Sequence, residues 1–160
     1  PALVERGVQF AVQGTGEPAL EAAFRIAQQA HPGRVHVHIG YDEARAHRLI
    51  AGADAIAVPS RFEPCGLTQM YGLRYGTLPI VRRTGGLADT VNETDATANG
   101  FTFDAATPAA FERAVDRALA LRLDPAAWTE RVARAMGSEL SWAGPARDYA
   151  ALYRKALAAR

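Results

Sequence analysis

The sequence predicts an α/β domain in which a parallel sheet carries helices on both faces and a C-terminal helical segment covers it. In the first two thirds of the chain, short segments with strand periodicity alternate with segments of helical spacing. The last third has helical spacing only. Strands that alternate with helices are typical of parallel sheets with right-handed crossovers.

The first strand is predicted over residues 8–13, where apolar residues alternate with polar or small ones. Gly14-Thr15-Gly16 ends it, and Pro18 stands where a first helical residue is expected. This helix runs to the break at residues 31–33. Because the glycine turn lacks the third glycine of a dinucleotide fingerprint, it indicates a turn rather than a nicotinamide cofactor site.

Two further strand and helix units follow. Residues 35–39 alternate as a strand does, and Asp42 is placed to cap the next helix. Residues 55–58 form a continuous apolar run, which is typical of a strand covered on both faces. A helix over 67–75 and a strand over 78–81 complete this part.

The C-terminal part is predicted to be a short strand over 100–103 followed by helices. Thr107-Pro108 and Asp124-Pro125 have the residue types of helix starts. We expect residues 1–160 to form one Rossmann-like domain, with 107–160 as a helical segment packing on it. A doubly wound sheet usually has more strands than the four or five counted here, so we expect the domain to be incomplete at its N-terminus.

Composition excludes several classes of protein. The formal charge of +1 is spread evenly, so we expect no nucleic-acid partner. The chain has no long apolar run and no signal-peptide pattern, so we expect no membrane partner. Cys65 is the single cysteine, and no spacing typical of metal ligands occurs. These features favour a cytoplasmic protein without a metal or cofactor.

The segment 60–68 is the most informative strand end. Ligands of open parallel sheets bind beyond the carboxyl ends of the strands, where helix N-termini offer free amides. Glu63 would place a carboxylate beside the amides near Gly66, a combination that suits a sugar phosphate. The alternative is that Glu63 or Thr68 caps a helix and Gly66 makes a turn; the pattern alone leaves both open.

Two other strand ends are weaker candidates. Arg82-Arg83-Thr84-Gly85-Gly86 combines cations with glycines that permit close approach to a ligand, although two solvated arginines in a turn are the commoner finding. Tyr41 could stack on a flat ring or simply pack. Cys65 has no nucleophile motif around it, which favours a site-lining thiol over covalent catalysis.

Residues 53–91 carry a family resemblance. Their sequence, ADAIAVPSRFEPCGLTQMYGLRYGTLPIVRRTGGLADTV, resembles bacterial glycogen synthase and plastid starch synthase. The segment around Tyr41 and the one at Ser141-Trp142 are also similar to the family. The resemblance implies the C-terminal half of a GT-B glycosyltransferase, which moves glucose from ADP-glucose to the non-reducing end of an α-1,4-glucan with retention of configuration and without a metal.

The resemblance also implies roles for individual residues. Glu63 would be the catalytic carboxylate that faces the donor glucose, with Cys65 close by. Tyr41 would stack on the adenine. The other substrate-binding residues are the amides that would hold sugar hydroxyls or phosphate, Gly66, Leu67 and Thr68, and the loop that would border the donor, Gly85 and Gly86.

Two departures from the family pattern matter. Many GT-B enzymes carry a second glutamate eight positions after the first, where this chain has Tyr71; glycogen synthases share this feature, and the ribose contacts stay unassigned. An Arg-x-x-x-x-Lys-Gly segment that contacts the diphosphate in the family does not occur in the sequence. We therefore expect an N-terminal domain to be missing, and the isolated chain to be inactive and prone to self-association.

Two other functions remain open at this point. A non-catalytic nucleotide or glucan binding module would bind its ligand equally well after Glu63→Gln. A GT-B transferase of another class would use a UDP-sugar in place of ADP-glucose.

Overall fold

A computed structural model describes residues 1–158 of the chain. The strands among these residues are β1 (Phe10–Gly14), β2 (Val35–Ile39), β3 (Ala55–Val58), β4 (Leu78–Arg82) and β5 (Phe101–Phe103). The helices are α1 (Ala2–Glu5), α2 (Pro18–Ala30), α3 (Glu43–Gly52), α4 (Thr68–Tyr75), α5 (Gly86–Thr90), α6 (Pro108–Arg122), α7 (Pro125–Met136) and α8 (Ala143–Ala158).

The strands form two parallel sheets. β1 pairs with β2, from Phe10 opposite Val35 to Gly14 opposite Ile39. β4 lies between β3 and β5 in the second sheet, with Val58 opposite Val81. All pairings are parallel, as predicted, but the five strands do not join into the single sheet that the alternating pattern suggested. Periodicity predicts strands; it does not predict which strands share hydrogen bonds.

The predicted helix starts are confirmed by their hydrogen bonds. The side chain of Asp42 accepts from the amide of Arg45 at 2.9 Å. Thr107 caps α6, and Asp124 caps α7 by accepting from the amides of Ala126 and Ala127, both at 3.1 Å. Proline follows Thr107 and Asp124 as the first helical residue, where its missing amide costs nothing.

The main core lies between the three-stranded sheet and the helices α4, α6 and α7. Its fully buried members include Leu73, Leu78, Phe101 and Ala114. The short α1, which the sequence did not predict, adds the partly buried Leu3 to this core. The main core therefore fixes β3 and β4, the strands that lead into the candidate site.

The prediction that β3 is covered on both faces is wrong. Ala57 is exposed, and Ala55, Ile56 and Val58 are only partly buried. β3 forms one edge of its sheet and pairs with β4 alone. By contrast, all four residues from Leu78 to Val81 in the central strand β4 are buried.

The C-terminal helical segment divides into two parts. α6 and α7 pack on the core through buried residues such as Val115 and Ala135. α8 has no buried residue, and its large apolar side chains, among them Tyr149, Leu152 and Tyr153, are exposed. Residues 159 and 160 of the predicted segment 107–160 lie outside the described residues.

Candidate active site

The candidate site is built from the two loops that follow β3 and β4. Because these strands are parallel neighbours, their carboxyl ends meet at the same edge of the sheet. The loop after β3 runs from Pro59 to Leu67, the residue before α4, and contains Glu63. The loop after β4 contains Gly85, the N-cap residue of α5. The two sequence segments predicted to form the site are therefore adjacent in space.

Glu63 is partly buried within the first loop. Its Oε2 accepts a hydrogen bond of 3.2 Å from the hydroxyl of Ser60, which orients the carboxylate. The interpretation of Glu63 or Thr68 as a helix cap is wrong, since α4 has Leu67 at its N-cap position and no side chain caps it. The carboxylate retains acceptor capacity for a ligand.

The N-terminus of α4 differs in this respect from those of α3, α6 and α7. Those three helices have a side-chain cap, whereas α4 has none. The uncapped first turn leaves main-chain amides that can donate to a ligand oxygen, and the helix dipole favours an anion there. The neighbouring side chains of Phe62 and Leu67 are 78% and 58% exposed, so the site is open to solvent.

Gly85 and Gly86 pack directly on the first loop. A Cβ atom at Gly85 would overlap the carbonyl oxygen of Glu63, and one at Gly86 would overlap that of Cys65. The amide of Gly86 donates to the Glu63 carbonyl at 3.2 Å. Sequence reasoning expected these glycines to permit approach to a ligand; the structure shows that they also permit contact between two main chains.

The arginines at the end of β4 are engaged within the protein. Arg82 donates to the main-chain oxygens of Arg61 at 2.7 Å and Asp104 at 2.9 Å, which braces the first loop. Arg83 forms an exposed ion pair with Asp104 at 2.8 Å. The sequence left open an anion-facing role for these two arginines beside the commoner solvated turn; the guanidinium of Arg82 instead holds the first loop, and that of Arg83 pairs with Asp104.

Not all predicted residues are brought together. The structure joins Glu63, Cys65, Gly66, Gly85 and Gly86 in one cluster, and Leu67 and Thr68 begin the adjoining helix. Tyr41, by contrast, follows β2 in the other sheet, with its ring 86% exposed. Exposure leaves the Tyr41 ring available for stacking.

Sequence reasoning assigned no role to Gln69 and Thr90. Gln69 is fully buried, and its side chain lies under the first loop. The available signal was a polar residue on a helix face otherwise occupied by Gly72 and Leu73, the other buried residues of α4. A buried amide needs hydrogen-bond partners, so its position predicts a network rather than simple packing.

The described residues contain no group of three or more His, Cys, Asp or Glu side chains able to hold a metal ion. Within residues 1–158, no helix has both the length and the apolar character required to cross a bilayer.

Comparison with known proteins assigns the chain to a family. Residues 3–135 match the model for glycosyl transferases group 1. The chain belongs to this family. A curated relative, glycogen synthase of Edwardsiella ictaluri, is 51% identical over 163 residues, which is 98% of this chain and 34% of that protein. The chain thus spans about a third of the length of this glycogen synthase.

Two solved structures are also similar to this group 1 glycosyl transferase chain. The catalytic domain of starch synthase IV from Arabidopsis thaliana, bound to ADP and acarbose, matches with a TM-score of 0.82 and 35% identity, over 97% of this chain and 34% of that one. Sucrose-phosphate synthase from Thermosynechococcus elongatus matches with a TM-score of 0.64 and 25% identity, over 95% and 39%. The predicted fold class and the family resemblance are confirmed.

Proposed function

We propose that this chain forms the donor side of an enzyme that transfers glucose from ADP-glucose to the non-reducing end of an α-1,4-glucan with retention of configuration. The observation that carries the proposal is the joined pair of loops, which sets the Glu63 carboxylate beside an uncapped helix N-terminus. The relatives add support, since one is a glycogen synthase and another is a starch synthase bound to ADP and acarbose.

In the proposed reaction, the protein stabilises the charge on the donor glucose and holds the donor in place. Positive charge develops on the donor glucose as its bond to the diphosphate breaks, and the Glu63 carboxylate stabilises it. Amides of Gly66, Leu67 and Thr68 hold sugar hydroxyls or phosphate oxygens at the helix N-terminus. The loop of Gly85 and Gly86 borders the sugar, and no metal takes part.

Tyr41 and Cys65 complete the proposed donor site. The exposed ring of Tyr41 stacks on the adenine. Cys65, which is exposed, lines the sugar site without bonding to it covalently. We place the enzyme in the bacterial cytoplasm.

Residues 1–160 alone are proposed to be inactive. The sequence contains no Arg-x-x-x-x-Lys-Gly segment to neutralise the leaving diphosphate. The exposed apolar side chains of α8 and the edge strand β3 also favour self-association of the isolated chain. Turnover of ADP-glucose by the purified 160-residue chain would overturn the proposal of inactivity, and a monomeric sedimentation profile at high concentration would overturn that of self-association.

The test of the proposed function is Glu63→Gln in the full-length gene product. Loss of the charge that faces the reacting carbon is expected to lower kcat by roughly 100-fold or more while ADP affinity stays within about threefold. Glu130→Gln is the matched control, because Glu130 is an exposed residue of α7 whose ion-pair partner is Arg134. Wild-type kcat in Glu63→Gln would contradict the catalytic assignment, and binding without turnover in the unmodified protein would indicate a non-catalytic module.

A further inference from the structure

We propose that Gln69 and Thr90 are positioning residues that hold the two loops of the candidate site in one fixed register. The proposal rests on the function proposed above, because its consequence is the alignment of Glu63 and the α4 amides on a single donor molecule. Neither side chain is expected to touch the donor.

Gln69 holds the first loop from beneath. Its side-chain nitrogen Nε2 lies 3.2 Å from the carbonyl oxygen of Cys65 and 2.9 Å from that of Gly66. The same nitrogen lies 3.2 Å from the hydroxyl oxygen of Thr90. An amide group has two protons, so these three acceptors share them. Since Gln69 is fully buried, water does not reach these groups, and losing one of the bonds would leave a polar atom without a partner, which is costly.

Thr90 is the last residue of α5 and links Gln69 to Gly86, the first residue of that helix. Its hydroxyl accepts from Gln69 and donates to the carbonyl oxygen of Gly86 at 2.7 Å. A hydroxyl has one proton, and here it is directed at Gly86. The main chain of Thr90 is itself fixed, because its carbonyl accepts from the Asn99 side chain at 3.0 Å. Both the main chain and the side chain of Thr90 are therefore held by hydrogen bonds.

The contacts close into a ring. Gln69 bonds to the first loop and to Thr90, Thr90 bonds to Gly86, and the Gly86 amide returns to the first loop at Glu63. The Gln69 amide also packs closely on Gly66, since a Cβ atom at Gly66 would lie 2.5 Å from Oε1 of Gln69. Loss of either side chain removes the bond between Gln69 and Thr90, and leaves the main-chain bond between Gly86 and Glu63 and the packing of Gly85 and Gly86 on the first loop.

The expected effect follows from the geometry required for group transfer. A misplacement of about 1 Å at the reacting groups can lower a rate by roughly 100-fold. Removing the Thr90 hydroxyl should therefore lower kcat with ADP-glucose by roughly tenfold or more. The KM for the glucan should change less than about twofold, because neither Gln69 nor Thr90 lies in a site proposed to bind the glucan.

The test compares Thr90→Val, which keeps the shape without the hydroxyl, with Thr90→Ser, which keeps the hydroxyl. In the full-length gene product, the valine variant should lose kcat as stated and the serine variant should stay within about threefold of wild type. Gln69→Met, which removes the donating amide, is measured beside them in case the valine variant does not fold. Val115→Ala, a core change in α6, controls for loss of stability without a change at the loops.

The outcomes separate this proposal from the proposed function. Absence of glucose transfer by the unmodified protein contradicts the proposed function. In that case the variants are compared by their affinity for ADP, measured by calorimetry, and Thr90→Val or Gln69→Met should weaken it by roughly tenfold. Wild-type values in either folded variant would overturn the positioning role. The positioning role would also be overturned if Thr90→Ser lost as much kcat as Thr90→Val. The same holds if Val115→Ala, at the melting temperature of the Thr90→Val protein, lost as much kcat as Thr90→Val.

Discussion

The amide of Gly86 donates a hydrogen bond of 3.2 Å to the main-chain carbonyl of Glu63. This bond joins the loop after β4 to the loop after β3 at the residue proposed to face the donor sugar. The contact is possible because neither Gly85 nor Gly86 carries a Cβ atom that would meet the first loop. The position of the Glu63 carboxylate thus depends on a loop more than twenty residues later in the sequence.

Gly85→Ala is expected to destabilise the protein strongly. The new Cβ would overlap the Glu63 carbonyl, and the φ of Gly85 is +47°, a conformation that alanine adopts at a cost. Overpacking and backbone strain together should lower the free energy of unfolding by about 2–4 kcal/mol. Urea denaturation followed by circular dichroism measures the change.

Gly16→Ala is the matched control for this prediction. A Cβ at Gly16 meets no atom within 4 Å, and its φ lies outside the left-handed region. Its free energy of unfolding should stay within about 0.5 kcal/mol of wild type. Equal effects of the two substitutions would contradict the loop contact.

Asp124→Ala is expected to weaken the start of α7. The Asp124 side chain accepts from two amides of the first turn, and loss of such a cap costs about 1 kcal/mol. Asp124→Asn keeps an acceptor of the same shape and should stay close to wild type. Thermal denaturation of both variants distinguishes capping from a simple charge effect, which would make them equally unstable.

Glu93 is expected to contribute to acid sensitivity. Partial burial opposes ionisation of Glu93, but hydrogen bonds from Arg117 and Thr102 outweigh it and lower the pKa below its ordinary value of 4.5. A lowered pKa in the folded state means that stabilisation is full above the ordinary pKa and is lost as the pH falls through the folded-state pKa. Glu93→Gln should therefore cost about 1–3 kcal/mol at pH 7.

The measurement is the free energy of unfolding of wild type and Glu93→Gln between pH 7 and pH 3. The difference between them should narrow as the pH falls below 4.5. A difference that stays constant across this range would show that the ion pair with Arg117, whose two groups lie 2.6 Å apart, is not the source of the stabilisation.

Local signals predicted the elements, whereas non-local contacts shaped the site. The start of α2 at Pro18 and the caps at Asp42, Thr107 and Asp124 could be predicted because each depends on residues within one helical turn. The contact of Gly85 with Glu63 could not, since no periodicity encodes which loops meet. The exposed face of β3 was missed for the same reason: edge position depends on strand order.

The prediction for Glu63 combined both kinds of information. Its place between a strand and a helix is a local feature, and the pattern alone left a cap and a ligand site open. The structure excludes the capping interpretation, because the Glu63 carboxylate accepts from Ser60 and α4 has no side-chain cap. The roles of Gln69 and Thr90 required the fold, since the two residues lie 21 positions apart and meet through one hydrogen bond.

The proposed function requires that the full-length gene product uses ADP-glucose to extend an α-1,4-glucan. The most direct measurement follows radiolabelled glucose from ADP-glucose and, in parallel, from UDP-glucose into glycogen. We expect incorporation from ADP-glucose, at the non-reducing ends, with a kcat/KM roughly tenfold or more above that for UDP-glucose. Equal or preferred use of UDP-glucose, or no incorporation from either donor, would contradict it.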